Sequence, residues 1–204
     1  MRDRPLVIFA WMSILALASA LMLSLTLSLR GRDTCTAKRL METAHKNILT
    51  DLKREFEPLA NDWGFTIDED RLSIAFTAPE LVFNTNSAEI RQGLQRVLRE
   101  FFPRYLAFTS RHKDILEEIR IEGHADATGG YFHNMLLSGS RAHAVFEFCY
   151  NLSDAADRRR MEEYFTTSGM SYARAAGDVE RSRRAEFTIR LDAARIIGGK
   201  DDRI

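Results

Sequence analysis

The sequence predicts an α+β domain with one sheet covered by helices, and three observations carry that prediction. Leu72 to Phe76 and Arg184 to Leu191 alternate apolar and polar side chains with the period of a strand. Stretches between and before them repeat apolar residues every three to four positions, the period of an amphipathic helix. The two kinds of segment interleave along a chain of 204 residues, a length for one ordinary domain with something added.

The addition is N-terminal. Residues 6–29 are 24 consecutive uncharged positions, about 36 Å as a helix, against about 30 Å of bilayer hydrocarbon. This reads as a single transmembrane helix behind a short tail, residues 1–5. A cleaved signal peptide is the rival, because Ala18-Ser19-Ala20 fits a small-residue cleavage pattern. The anchor is favoured, since the apolar run continues nine residues past Ala20. Cys35 follows Arg32-Asp33-Thr34, so there is no lipobox. The run has no Asp, Glu, His, Lys or Arg; its polar side chains are Ser13, Ser19, Ser24, Thr26 and Ser28. It can anchor and pack, but it carries no proton-relaying group. Arginines flank both ends and leave its orientation undecided.

Residues 30–63 read as a juxtamembrane amphipathic helical linker. Leu40, Ala44, Ile48, Leu52, Phe56, Leu59 and Trp63 recur on one side of a helix running from Thr34, with Pro58 ending or kinking it near Glu57. Steps of four drift too fast for a long two-stranded coil. Packing back on the domain is favoured over a dimerisation helix, which stays open.

A domain over 64–192 follows, with a tail over 193–204. Phe65-Thr66-Ile67 and Leu72 to Phe76 predict a hairpin around the charged turn Asp68 to Arg71. A helix is expected from Ser87, as N-cap, through Phe101; Pro103 is expected to break it before a second helical stretch reaching Glu117. Ile119 to Glu122 reads as a strand ending at Gly123, Ser138 to Leu152 and Asp154 to Phe165 as helices, and Arg184 to Leu191 as the last strand. Cys149 is expected on a buried face beside Val145, Phe146 and Leu152. Cys35 is open to an intersubunit disulfide or a free thiol.

Composition excludes several classes. The chain has 29 basic and 29 acidic side chains, so it lacks the basic excess of a nucleic-acid binder. Two cysteines make neither a disulfide scaffold nor a four-cysteine zinc site. The spacing of His124, Asp126, His133 and His143 matches no standard zinc pattern, and Asp157 to Arg160 reads as a solvated helix face. No P-loop, dinucleotide fingerprint or nucleophile-and-base pair occurs. The expectation is a protein that is not an enzyme and needs no cofactor or metal.

The informative stretch is Ile121-Glu122-Gly123-His124-Ala125-Asp126-Ala127-Thr128-Gly129-Gly130, followed by Asn134 and Leu137-Ser138-Gly139-Ser140-Arg141-Ala142. A carboxylate on a glycine-rich loop and an arginine on the next helix can face one pocket. That pair suits a zwitterion, Asp126 accepting an ammonium and Arg141 gripping a carboxylate.

These residues resemble the OmpA-like family, which includes the C-terminal domains of OmpA, Pal and MotB. The ordered matches are Phe83 to Ser87, Ile121 to Gly129, Asn134 to Ala142, Gly169 with Ser171, and Arg183-Arg184 before Phe187-Thr188-Ile189. They extend from about Leu72 to Leu191. Ala125, Ser182 and Asn84 stand where the family usually has Thr, Asn and Asp, and Tyr131, Phe132 and His133 are expected to narrow the pocket.

The resemblance implies an OmpA-like β/α/β sandwich with one mixed sheet, and a non-covalent peptidoglycan-binding role. Asp126 and Arg141 would hold the diaminopimelate of the stem peptide, with Asn84, Phe83 and Thr128 around them and Arg184 either reaching the site or supporting it. It implies a single-pass protein of the bacterial inner membrane, anchored through residues 6–29, with its C-terminal domain in the periplasm. A MotB-like stator subunit of an ion-driven motor complex, flagellar-like or phage-defence-like, is one alternative; it implies a multi-span membrane partner and a homodimer, and this span lacks the ion-carrying acid. A scaffold with a degenerate pocket that binds a protein is the other.

Overall fold

The computed structural model describes residue 22 and residues 35–78, 82–173 and 182–199. The apolar run 6–29 lies outside the described residues except for Met22. Among the described residues, no helix is long and apolar enough to cross a membrane. The chain divides into two compact units, Met1–Thr43 and Ala44–Ile204. In the first, residues 35–43 are helical and carry an exposed Lys38–Glu42 pair at 3.8 Å.

The second unit begins with helix α1, residues 44–56. Its Ile48, Leu52 and Phe56, spaced by four, enter the core, so this part of the amphipathic helix packs on the domain. Pro58 stands in the 3₁₀ turn Glu57–Leu59 where the helix ends, as its missing amide requires. A short α2, Ala60–Trp63, leads through Gly64, at a left-handed φ of 64°, into the sheet.

Strands β1 (Phe65–Asp68) and β2 (Ser73–Phe76) form the expected antiparallel hairpin. Asp68 Oδ1 accepts the Arg71 amide at 3.1 Å, and α1 clasps the turn through His45 to the Glu69 carbonyl and Lys53 to the Glu69 carboxylate, each at 2.8 Å. Strands β3 (Leu116–Gly123), β4 (Phe165–Gly169) and β5 (Ala185–Leu191) complete a five-stranded sheet in the order β1-β2-β5-β3-β4. Only the β3–β4 pairing is parallel, so the sheet is mixed.

Helix α3 spans Gln92–Arg111 without interruption, which corrects the expected break at Pro103. Pro103 lies on the exposed side, where the Arg99 carbonyl that it leaves free meets water. The opposite side buries Leu94, Leu98, Phe101, Phe102, Tyr105 and Phe108, and that burial outweighs the lost bond. Ser87 is not the N-cap; its hydroxyl accepts the Glu89 amide at 3.0 Å in a turn before the helix, and Arg91 takes the cap position. After Arg111 a 3₁₀ turn, Lys113–Ile115, leads directly into β3, so the helix does not reach Glu117.

Helix α4 covers Tyr131–Leu152, starting seven residues before the expected Ser138. Helix α5, Ala155–Tyr164, is capped by Asp154, which accepts the amides of Ala156 and Asp157 at 2.9 and 2.8 Å. A last helix, α6 (Ala193–Gly198), falls in the expected tail. Helix α4 packs on β3 and β4 at two close approaches. A Cβ on Gly123 would lie 2.0 Å from the Ser138 carbonyl, and one on Gly169 2.6 Å from the Gly139 amide, so only glycine fits. Cys149 and Val145 are buried as expected. The core centres on Phe101, whose ring lies 5.0 Å from Phe76, 5.1 Å from Tyr105, 5.3 Å from Phe187 and 5.5 Å from Phe56.

Candidate functional site

At the end of β3 the chain leaves the sheet at Gly123 and loops over to α4. That loop is a fixed structure. Asp126 Oδ1 accepts the Thr128 amide at 2.9 Å, closing a side-chain turn, and Gly129 takes a left-handed φ of 93°. From within α4, buried Asn134 donates to the carbonyls of both Asp126 and Thr128 at 3.0 Å. The amides of His124 and Ala125 are held by the carbonyls of Arg184, at 3.0 Å, and Ser171, at 2.9 Å.

A second wall comes from the loop before α3. Phe83 and Ile90 bridge its base, and the Arg91 amide reaches the Val82 carbonyl at 3.3 Å. Asn86, at φ 53°, shares a 2.7 Å hydrogen bond with His133 of α4, which ties the two walls together.

Arg141 joins everything. It is 1% exposed. Its Nε donates to Ser87 O at 2.9 Å, Nη1 to His124 O at 2.9 Å and Nη2 to Asn84 O at 3.1 Å, with the Phe83 ring 5.0 Å from the guanidinium carbon. Three of five N–H bonds are thus used, and two remain. Among the described residues no carboxylate lies within ion-pair distance of it; carbonyl dipoles and one ring face stabilise the charge. Burial, helped by repulsion from Arg183 and opposed by Asp126, lowers its pKa to about 10. It remains a cation at neutral pH.

Between these walls lies a cleft of about 240 Å³ lined by Asp126, Thr128, His133, Leu137 and Arg141 among others. Arg183 stands at its edge, with Nη1 donating to Oγ1 of the lining residue Thr85 at 2.5 Å and Nε 3.9 Å from Asp126 Oδ2. One carboxylate therefore faces two guanidiniums.

Of the residues expected here, Asp126, Arg141 and Thr128 line the cleft. Phe83 lies beneath Arg141, and Asn84 contributes its carbonyl while its side chain is exposed. Arg184 takes the supporting one of its two expected places: its Nε donates to Glu186 at 2.6 Å behind the loop. Arg183, one residue earlier, lies in the bend before β5 and reaches Asp126 instead. The signal available for it was its place beside Arg184 in the matched Arg183-Arg184 pair. Tyr131, Phe132 and His133 form the first turn of α4, and of the three His133 lines the cleft.

Behind the loop, the sheet end holds a buried polar group. Arg71 donates to Glu186 at 2.5 Å and to Glu122 at 2.6 Å, beside the Arg184–Glu186 bond. His124 Nε2 lies 3.4 Å from Glu186 and 3.6 Å from Glu122, and neither ring nitrogen is hydrogen bonded. Burial, helped by repulsion from Arg184, outweighs both carboxylates and holds His124 below the ordinary imidazole range. Glu122, His124 and Glu186 offer ligand atoms within 4.8 Å of one another, the grouping best placed for a metal among the described residues. Two guanidiniums already bond the two carboxylates, so little negative charge remains for a dication. His143 is exposed, away from this group.

Comparison with known proteins gives a consistent result. Residues 82–183 match the OmpA family. Zorya protein ZorB of Escherichia coli is 32% identical over 167 residues, covering 74% of this chain and 71% of that protein. A MotB-like protein from Desulfovibrio vulgaris, 19% identical, aligns over 77% of this chain and 96% of its own with a TM-score of 0.50, a likeness of fold. The cell wall anchor of the T6SS from Pseudomonas aeruginosa, 21% identical, aligns over 69% of this chain and 97% of its own with a TM-score of 0.48.

Proposed function

Because the chain belongs to the OmpA family, we propose that its cleft binds the stem peptide of peptidoglycan and holds the protein to the cell wall without covalent chemistry. The observation that carries this reading is that Asp126 and Arg141 line one cleft of about 240 Å³, with Arg183 3.9 Å from Asp126 at its edge. The free end of diaminopimelate is an ammonium and a carboxylate on one carbon. Asp126 accepts the ammonium. The two unused N–H bonds of Arg141, with Arg183, face the carboxylate, and the excess positive charge suits a ligand with further carboxylates.

The remaining residues act through these. Thr128 shapes the rim, and Phe83 and the Asn84 carbonyl hold the guanidinium in place. Arg184 supports the loop from behind through its carbonyl to His124. Residues 6–29 serve as a single-pass anchor in the bacterial inner membrane, with the domain in the periplasm.

Pelleting of the full-length chain in detergent with purified diaminopimelate-type sacculi tests this. Wild type pellets with the wall, and Asp126→Asn stays in the supernatant. Equal pelleting of both would end the reading of the cleft as the wall site.

The similarity to Zorya protein ZorB favours a second, compatible reading, in which the protein is a MotB-like subunit of an ion-driven membrane complex. The apolar run holds no acid, so a multi-span partner would supply the ion-carrying group, and the chain would work as a homodimer. Affinity purification from native membranes would recover that partner. Recovery of the chain alone, as a monomer, would contradict this reading. Should the cleft fail to bind wall, a scaffold that meets a protein partner takes its place.

A further inference from the structure

The first two turns of α4 carry an apolar group that neither the core nor the cleft uses. Tyr131, Phe132 and Leu136 are 46%, 82% and 74% exposed, three of the five large hydrophobic side chains that stand out among the described residues. Their position follows from how α4 is held. Gly123 and Gly169 end β3 and β4, and they touch the helix at Met135, Ser138, Gly139 and Ala142. The start of α4, from Tyr131, therefore reaches past the strand ends.

On that overhang two stripes run side by side. His133 and Leu137, four apart, line the cleft. Phe132 and Leu136, one position earlier in each turn, form the adjoining stripe and face outward. The aromatic side chains pack on one another. Tyr131 stands edge-on to Phe132 at 5.7 Å and to Tyr172 at 5.8 Å, and the Ser171 hydroxyl donates to the Tyr131 carbonyl at 3.4 Å. An exposed apolar group with packed rings beside a charged cleft marks a binding surface.

We infer that Phe132 and Leu136, braced by Tyr131, form a sugar subsite that stacks on the apolar face of a pyranose in the glycan strand whose stem peptide occupies the cleft. The inference rests on the peptide reading given above. Two residues, one of them linked through its side chain, separate diaminopimelate from the sugar, so the stem is long enough to leave the cleft and lay its sugar on the adjoining Phe132–Leu136 stripe. A pyranose offers a flat face of C–H groups, which covers an aromatic ring and leaves the hydroxyls at the edge in water. A second copy of the chain fits less well, because three side chains supply far less than the roughly 800 Å² per partner of a stable interface.

Calorimetric titration of the full-length chain in detergent separates the two layers. The probes are the alanyl-glutamyl-diaminopimelate tripeptide and the same tripeptide carried on its disaccharide. Wild type binds the sugar-linked form about fivefold more tightly, the scale of one aromatic stacking contact. Phe132→Ala removes that preference and leaves free-tripeptide affinity unchanged, and Leu136→Ala reduces the preference partly. Both side chains point to solvent, so neither variant strains the fold. Binding of both probes with equal affinity by wild type, or a preference that survives Phe132→Ala, overturns the sugar subsite and leaves the peptide reading standing. Binding of neither probe overturns both.

Discussion

Phe101 and Arg141 are equally buried, and they are buried in opposite ways. Phe101 is surrounded by rings from α1, α3, β2 and β5, contacts that any well-shaped apolar neighbours would make. Arg141 is surrounded by backbone carbonyls from two loops, 17 to 57 residues away in sequence. The first centre gains from excluding water, without direction. The second must satisfy a charge in a fixed geometry, and doing so holds two loops apart as the walls of a cleft. The lesson is that one buried residue serves here as both structural post and source of positive charge at the cleft, because only three of its five donors are used.

Substitutions can break each side of that comparison. Phe101→Ala is expected to have the largest effect, about 4 kcal/mol in denaturant unfolding, because it leaves a cavity among six aromatic neighbours. Arg141→Ala follows at about 3 kcal/mol, since it strands three carbonyls, and it also abolishes ligand binding. Arg141→Lys should rescue little, because one ammonium cannot span the three acceptors.

Asp126→Asn sharpens the contrast. It keeps an acceptor for the Thr128 amide and removes the charge. Melting should show a change within about 1 kcal/mol, while stem-peptide affinity falls more than about tenfold.

On the core side, Tyr105 is fully buried and its hydroxyl has no hydrogen-bond partner. Tyr105→Phe is therefore expected to stabilise the domain by about 1 kcal/mol, read as a higher midpoint in urea.

The smallest effect is a slope with pH. Burial lowers the pKa of both His124 and His112 in the folded chain. As pH falls below about 6.5 the unfolded chain takes up protons that the folded chain refuses, so stability declines through the window down to the folded values. Melting temperatures recorded from pH 7 to 5 should fall, and His124→Gln should flatten that slope in part, leaving the share from His112.

The core was more legible in the sequence than the cleft. Ile48, Leu52 and Phe56, the hairpin, and the alternation of β5 follow from local periods, and each lies where its period puts it. Strand β4 was missed because Phe165-Thr166-Thr167-Ser168-Gly169 lacks alternation; it is an edge strand that pairs only with β3. Pro103 misled because a local rule was outweighed by the buried side of α3. Asp126 and Arg141 were visible as a motif, yet nothing local says that Arg141 would spend three donors on carbonyls. Arg183 and Arg184 look alike in sequence. The bend just before β5 separates them, one toward Asp126 and one toward Glu186.

The central claim is that the cleft reads both ends of a zwitterion. The most direct measurement compares calorimetric affinities of the full-length chain for diaminopimelate-containing and lysine-containing stem tripeptides, which differ by one carboxylate. Facing Arg141 and Arg183, that carboxylate should make the diaminopimelate form bind at least about tenfold more tightly. Equal affinities would contradict the claim, leaving the two guanidiniums a structural task alone.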